Sequence, residues 1–362
     1  MAEPGLPEAP PRMYDATGAI HCHSTYSDGS GTVEEIVSAA QRAGLEYLVM
    51  TDHDTLAPLR EKGEGWHGRT LVLYGVEISP RHNHYLAYGI EEVPSFHLPP
   101  AEFIRAVREL GGVGFLAHPW DYGSPVLGLG EYSWQDWEVD GFTGIEIWNY
   151  FSGWVGSITS VWDLVRGLLN WRAVSMDPDP RTLARWDQLA LRRPVVGIGG
   201  VDAHGIRRRI LGVPVTFHPY ERAFRTVRTH LLLPRPWAGD VAEDRRQVLG
   251  ALRHGRAYVA NWEQGDPRGF RFLAWAGGRW LGMGDRFPHP GPAGSVHFSV
   301  ETPRDVPGVR IALFWNGRPM VETDGPVLQG RDAGPGVYRV EVYRRGRGWI
   351  YSNPICLEAP MP

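Results

Sequence analysis

The chain has 362 residues, of which 43% are hydrophobic and 22% charged, and its formal net charge is −4. That length suits one large domain plus a smaller one, and the composition is that of a globular protein with a sizeable core. The mild acidity argues against a dedicated nucleic-acid or anionic-membrane binder, and without a run of about 18 apolar residues no membrane-spanning helix is expected.

The opening MAEPGLPEAPPRMYD is proline-rich and has neither the basic nor the apolar region of a signal peptide, so residues 1–15 are expected to form a flexible tail. Residues 19–51 then predict a strand (AIHC), a helix (TVEEIVSAAQRAG, with Thr32 as N-cap and Gly44 as stop) and a second strand (LEYLVMT). Further apolar strands are expected in LVLYGVEI, HYLAYGI, GVGFLAH, GIEIWNY and PVVGIGGVDAH, with a helix at PAEFIRAVRELGG. This alternation implies an α/β domain over residues 16–255, with a largely parallel sheet or barrel. Residues 120–190 carry eight of the fifteen tryptophans, with helical pieces around SITSVWDLVRGLLNW, and read as an inserted, lid-like segment. From about residue 256 the texture changes to short alternating segments (AYVANW, RFLAWAGG, SVHFSVET, VRIALFWNG, GVYRVEVYRR) between Gly, Pro and Asn-Gly turns. These predict an antiparallel β module, sandwich-like, over 256–362. Cys22 and Cys356 stand too far apart to suggest a disulfide framework, and a cytoplasmic location is the default expectation.

Residues able to bind metal recur at or just beyond the ends of the expected strands: His21 and His23, His53 within TDHD, Glu77, His84, His118 in AHPW, then Asp202 and His204. The rim where strand ends converge is where a β/α barrel assembles its chemistry. His-X-His on a strand turns both rings to one side, because the side-chain period is two, and leaves Cys22 on the other. Asp202-X-His204 repeats that geometry. Taken singly, each residue has a plain structural reading; Asp28, in SDGSG, is a natural turn residue. Taken jointly they point to divalent ions held by imidazole and carboxylate, a donor mix that suits Mn²⁺, Zn²⁺ and Fe²⁺ alike.

The stretch IHCHSTYSDGSGTVEEIVSAAQRAGLEYLVMTDHDT, followed in order by GVEIS, HYLAYGI, AHPW and DAH, resembles the PHP (polymerase and histidinol phosphatase) family of metallohydrolases over about residues 16–215. The resemblance implies a distorted, seven-stranded, TIM-like β/α barrel holding two or three divalent ions. It implies that His21, His23, Glu77 and Asp202 hold the first ion, that Glu77 bridges to a second completed by His84 and His118, and that Asp28, His53 and His204 hold a third. His82 competes with His84, which fits the family strand better. Asp52 and Asp54 would orient imidazoles from behind. The tail GPGVYRVEVYRRGRGWIYSNPICLE resembles a subgroup with a C-terminal β module that includes carbaryl-hydrolase-type enzymes.

Such a centre activates a hydroxide for hydrolysis, and no G-x-S-x-G signature offers a serine route. Asp202 or His204 would pass the proton to the leaving group. A phosphoesterase acting on small-molecule or nucleotide esters is the leading expectation, with a carboxylic or carbamate ester hydrolase as the alternative and a structural metal cluster as the reading from outside enzymology. Arg81 and Arg207 to Arg209 are candidates to cradle a phosphate. Trp120, Trp134, Trp137, Trp148 and Trp154 would either wall the cleft or fill the core of the insertion. The expected partner is a small-molecule ester, with no membrane or nucleic acid; oligomeric state is not specified by the sequence.

Overall fold

The computed structural model describes residues 12–169, 177–210 and 212–359. In chain order the first part comprises β1 (Tyr14–Ala19), α1 (Val33–Ala43), β2 (Tyr47–Met50), α2 (Ala57–Lys62), β3 (Gly65–His67), β4 (Thr70–Ile78), β5 (Tyr85–Tyr88), α3 (Pro100–Glu109) and β6 (Val113–Leu116). Next come β7 (Gly144–Asn149), α4 (Tyr150–Gly156), α5 (Val161–Leu169), α6 (Pro180–Ala190), β8 (Val196–Gly200), β9 (Arg207–Ile210), β10 (Val213–Thr216), α7 (Tyr220–Ala223), β11 (Val227–Leu233), α8 (Val241–His254) and β12 (Ala257–Asn261). The remainder is all strand: β13 (Arg271–Ala276), β14 (Arg279–Leu281), β15 (Arg286–Pro288), β16 (His297–Glu301), β17 (Val309–Trp315), β18 (Arg318–Asp324), β19 (Val327–Arg331), β20 (Gly336–Arg344), β21 (Arg347–Ser352) and β22 (Ile355–Glu358).

Local signals act where the sequence places them. Thr32 accepts from the Glu35 amide while the Glu35 side chain reaches back to the Thr32 amide, a complete capping box, and Gly44 ends α1 in the left-handed region at φ 73°. Apolar residues at helical spacing bury Ile36, Val37 and Ala40 against β2 and β4.

Seven strands lie side by side in the order β1-β2-β4-β5-β6-β7-β8. The pairs β1–β2, β2–β4, β6–β7 and β7–β8 are parallel, whereas β5 is antiparallel to both neighbours. The expected closed barrel does not appear as a continuous ladder among the described residues. The free edge of β1 is taken by β11, antiparallel from Tyr14 to Gly18. The chain leaving β8 therefore meets the chain leaving β1 only beyond β11's reach, at the single parallel bridge Cys22–Ala203. Side chains from β1, β2, β4, β5, β6, β8 and β11 still converge in one core, which includes Tyr47, Leu73, Leu86, Phe115, Ile198 and Leu231 and which α8 covers with Val248 and Leu252.

Three boundaries differ from expectation. Strand β1 begins at Tyr14, inside the expected tail, because Asp15 accepts from His230 Nδ1 (2.7 Å) and the Tyr258 hydroxyl (2.6 Å); residues 1–11 lie outside the described residues. The 120–190 segment is not wholly an insertion, since β7 is an integral strand; positions 170–176 of its helical stretch lie outside the described residues. The β module is not set off at residue 256, because β12 pairs with β11 on one side and β21 on the other, carrying one sheet into β20 and β22. A second sheet, β14-β13-β16-β19, supplies Phe272, Phe298 and Leu328 to the same apolar core as Val340 and Ile350 of the first, giving the sandwich-like packing. Arg339 of β20 ties this region to α6 through a bidentate pair with Asp187 at 2.6 and 2.7 Å. Among the described residues no helix is long and apolar enough to cross a membrane.

Candidate metal centre

The sheet extends beyond its strands to deliver the donors. Past β1 and β2, Thr51 N donates to Cys22 O (2.8 Å); past β2, Glu77 N donates to Asp52 O (3.3 Å) and Asp54 N to Glu77 O (2.9 Å). Among the described residues, four of the seven non-glycine residues with positive φ, Asp54, Asn83, His118 and Asp202, occur in these donor-bearing loops. Each such residue costs about 1–2 kcal/mol of backbone strain, and such strain concentrates at functional sites.

All nine expected donors come together. Glu77, fully buried, lies at the centre: its Oε2 is 3.1 Å from His21 Nε2, 3.2 Å from His23 Nε2 and 3.4 Å from His53 Nδ1, and its Oε1 is 2.9 Å from His84 Nδ1 and 3.0 Å from His118 Nε2. Asp202 Oδ1 is 3.2 Å from His23 Nε2 and 3.4 Å from His21 Nε2. Asp28 Oδ1 is 3.3 Å from His204 Nε2, 3.6 Å from His53 Nε2 and 3.9 Å from His23 Nδ1. Eight of the nine donors, all but His118, form three overlapping groups, each with its ligand atoms within 4.8 Å of one another: His21-His23-Asp202, His53-Glu77-His84 and His23-Asp28-His53-His204. His84, not His82, is the member of this set. Cys22 points away into the apolar cluster of Ala19, Ile36 and Leu48, where burial raises its thiol pKa well above the usual value.

Two observations show that these residues fit cations. Both ring nitrogens of His23, His118 Nδ1 and Asp202 Oδ1 are buried without a hydrogen bond, an expensive arrangement unless something else occupies their lone pairs. The carboxylates and imidazoles also shift one another strongly. Burial disfavours the ionised forms of Glu77 and Asp202, yet the surrounding imidazoles hold both carboxyls well below the carboxylate range. Conversely, burial disfavours protonated His23 and His118, but Asp202 and Glu77 pull His23 up to about 10, and Glu77 pulls His118 up to about 9. Burial and His23 push His53 down to about 4. Such a cluster draws in positive charge.

Neighbours orient the rings. His21 Nδ1 bonds Glu146 Oε1 (2.8 Å), which turns its Nε2 toward Glu77 and Asp202. His204 Nδ1 bonds the Asp202 carbonyl (2.9 Å) and leaves Nε2 to Asp28. His53 Nδ1 bonds Ser79 Oγ, which donates to the Glu77 carbonyl (2.9 Å). This is the arrangement in which one imidazole nitrogen is anchored and the other is free for a metal. Glu146 also accepts from the His118 amide (2.7 Å) and from Asn149 Nδ2 (2.9 Å), and Asn149 donates to Asp202 as well (3.2 Å). Gly200 makes room for it, since a Cβ there would lie 1.9 Å from Glu146 Oε1.

Sequence reasoning missed Glu146, Asn149 and Ser79; a lone glutamate inside the apolar strand GIEIWN was the one available signal. The expected role of Asp52 and Asp54 is corrected. Asp52 accepts from Ser24 N, Ser24 Oγ and Ser27 Oγ at 2.7–2.8 Å, and Asp54 accepts from Ser79 N (2.9 Å). They hold loops rather than imidazoles.

A cavity of about 510 Å³ is lined by seven of the donors, by Arg81 and by Leu129, Tyr132, Phe151 and Val155. Arg81 is exposed and, among the described residues, has no ion-pair partner. Arg207 pairs with Glu35 (2.9 Å) and does not line this cavity. Neither does Trp120, which packs tilted against Trp137 (ring centroids 4.8 Å apart) and lines a separate cavity of about 380 Å³. Trp134 and Trp148 are core residues, and Trp154 packs behind Phe151.

Comparison with known proteins agrees with this picture. The family model for the PHP domain matches residues 19–129. The chain is 42% identical over 82 residues to the phosphoribosyl 1,2-cyclic phosphate 1,2-diphosphodiesterase of Eggerthella lenta, a match covering 20% of this chain and 30% of that protein. It is 30% identical over 147 residues to an uncharacterized protein of Methanocaldococcus jannaschii, covering 36% of this chain and 81% of the relative. A crystal structure from Bacteroides vulgatus, of a two-domain protein described as containing a predicted PHP-like metal-dependent phosphoesterase, aligns with 98% of this chain and 100% of its own at 16% identity and a TM-score of 0.44. The matched span 19–129 takes in seven of the nine converging donors, and the archaeal relative is covered over most of its length: the chain belongs to the PHP domain family.

Proposed function

We propose that the protein is a metal-dependent phosphoesterase acting on small-molecule or nucleotide phosphate esters. The observation that carries this reading is the set of nine convergent donors, with orphaned atoms on His23, His118 and Asp202; seven of the nine line a cavity shared with Arg81, a cation without an ion-pair partner among the described residues. His21, His23, Glu77 and Asp202 would hold one ion; Glu77, His84 and His118 a second; and Asp28, His53 and His204, joined by His23, a third. Bound Mn²⁺, Zn²⁺ or Fe²⁺ would act as a Lewis acid, lowering the pKa of water toward about 7 and neutralising charge on the phosphoryl oxygens.

The chain's own residues do the rest. Arg81 lines the cavity, and its guanidinium could bond two oxygens of a bound phosphate. Hydrolysis breaks the bond from phosphorus to the ester oxygen, forms one to the oxygen of water, and returns a proton to the departing alcohol. His204 is set to hold an ion rather than to pass that proton, because its Nδ1 is engaged by the Asp202 carbonyl and its Nε2 faces Asp28. Asp202 would hold an ion through Oδ1, beside His21 and His23, which leaves Oδ2, accepting from Asn149 Nδ2 (3.2 Å), as its oxygen for the proton.

The name of the Eggerthella relative, a phosphodiesterase, favours phosphate over carboxylic or carbamate esters, although the match spans under a third of that protein. The test is turnover by the purified protein, with its metal content quantified, of p-nitrophenyl phosphate, bis-p-nitrophenyl phosphate and p-nitrophenyl acetate. Hydrolysis of either phosphate, abolished in His23→Ala, supports the proposal. Hydrolysis of the acetate alone would overturn it.

A further inference from the structure

We propose that the cavity selects phosphate esters whose leaving group is a compact apolar body, an aryl or branched alkyl alcohol, seated against the wall formed by the β6–β7 loop, α4 and Ile206 beyond β8. This rests on the phosphoesterase reading and adds the class of its substrate. Leu129, Phe151, Val155 and Ile206 all line the cavity. They belong to a small apolar cluster, closed behind by Trp154 and Ile158, that is separate from the cores filling the main sheet. An aromatic ring stands at each end of the donor row: Phe151 lies 5.1 Å from the His204 ring and Tyr132 5.3 Å from the His84 ring, between centroids.

The wall is joined rigidly to the metal-binding floor. Asn149 caps α4 by accepting from Ser152 N (2.8 Å) and at the same time donates to Asp202 (3.2 Å); Ser152 Oγ donates to Asp121 (2.8 Å), which lines the same cavity. Phe151 and Val155, carried on α4, are therefore preset relative to the reacting phosphate, and little ordering remains to oppose binding.

The chemistry of this wall favours apolar over polar bodies. Leu129, Phe151, Val155 and Ile206 offer no side-chain hydrogen bond, so a sugar or polyol pressed against them would give up hydrogen bonds to water without replacement. An apolar body there gains from leaving water. The cavity, about 510 Å³, falls within the range of small-molecule sites and far exceeds a bare phosphate.

The experiment is calorimetric titration of the Mn²⁺-loaded protein with phenylphosphonate and methylphosphonate, two unhydrolysable anions sharing the same head group. Phenylphosphonate is expected to bind at least about tenfold more tightly, the gain for seating one ring face on an apolar wall. Phe151→Ala and, on a different segment, Ile206→Ala should each pull that ratio toward unity. Equal affinities in the native protein, or a ratio unchanged in both variants, would overturn the inference even if p-nitrophenyl phosphate is turned over. Discrimination retained without turnover of any phosphate ester would leave the apolar subsite standing and overturn the phosphoesterase reading instead. Binding of neither anion would overturn both.

Discussion

Replacing Glu146 by glutamine tests how the centre is oriented. The carboxylate is buried and accepts three hydrogen bonds, from His21 Nδ1 (2.8 Å) on Oε1 and from the His118 amide (2.7 Å) and Asn149 Nδ2 (2.9 Å) on Oε2. Glutamine has nearly the same shape, but one of its two ends is an NH₂ donor. Whichever way the amide turns, a donor meets a donor, at His21 or at the pair His118 and Asn149. If the amide nitrogen faces His21, the ring must shift its proton to Nε2 and lose the lone pair now aimed at Glu77 and Asp202. Losing a buried hydrogen bond to a charged group costs about 1.5–3 kcal/mol, in line with the roughly 10–100-fold loss of metal affinity that follows mutation of residues behind a metal ligand. We expect Glu146→Gln to weaken divalent-ion binding by about 10–100-fold in competition with a chelator, with a kcat loss that excess metal partly restores. The metal-free variant should melt close to the metal-free parent, because all three donors keep most of their surroundings. Wild-type metal affinity in Glu146→Gln would refute the argument that this carboxylate sets the His21 tautomer.

Metal removal should lower stability, because the donors converge only in the folded chain; free ion at 100 times its dissociation constant contributes about 2.7 kcal/mol. A melting temperature insensitive to a chelator and to re-added Mn²⁺ would contradict the donor assignment. A second prediction concerns acid. His218 has both ring nitrogens buried without a hydrogen bond, lies 5.2 Å from the Tyr150 ring, and is pushed from 6.5 to about 3 by burial and the Arg222 charge. Between those two values the unfolded chain binds a proton that the native one refuses. This residue therefore costs no stability above pH 6.5 and progressively more as pH falls toward 3, up to a few kcal/mol. His218→Asn, which tolerates the left-handed backbone at φ 52°, should flatten the acid side of the stability curve; an unchanged acid limb would count against it.

Much of this protein is legible because it is written locally. The box from Thr32 to Glu35 and the stop at Gly44 specify α1 from neighbouring residues alone. The period of two places His21 and His23 on one face and Cys22 on the other, and the rule that donors gather at strand ends brings nine side chains from strand ends and loops up to 183 residues apart, His21 to His204, into one list. What escaped was decided by long-range pairing. β11 lies 208 residues from β1, counted from Val227 to Ala19, and nothing local announces that it would take the edge where β8 was expected to close a barrel. Glu146 is silent in the sequence because a carboxylate at the middle of a strand gains meaning only when His21, 125 residues away, presents Nδ1 to it. Asp52, beside His53 in TDHD, looked like its orienting partner, yet the pleat turned it to the opposite face, toward Ser24 and Ser27. Sequence alone determined which atoms could bind a metal, since that is a matter of residue chemistry and spacing. The tertiary structure decided which way each ring faces and what wall stands above it, because those depend on contacts between segments that meet only in the folded chain.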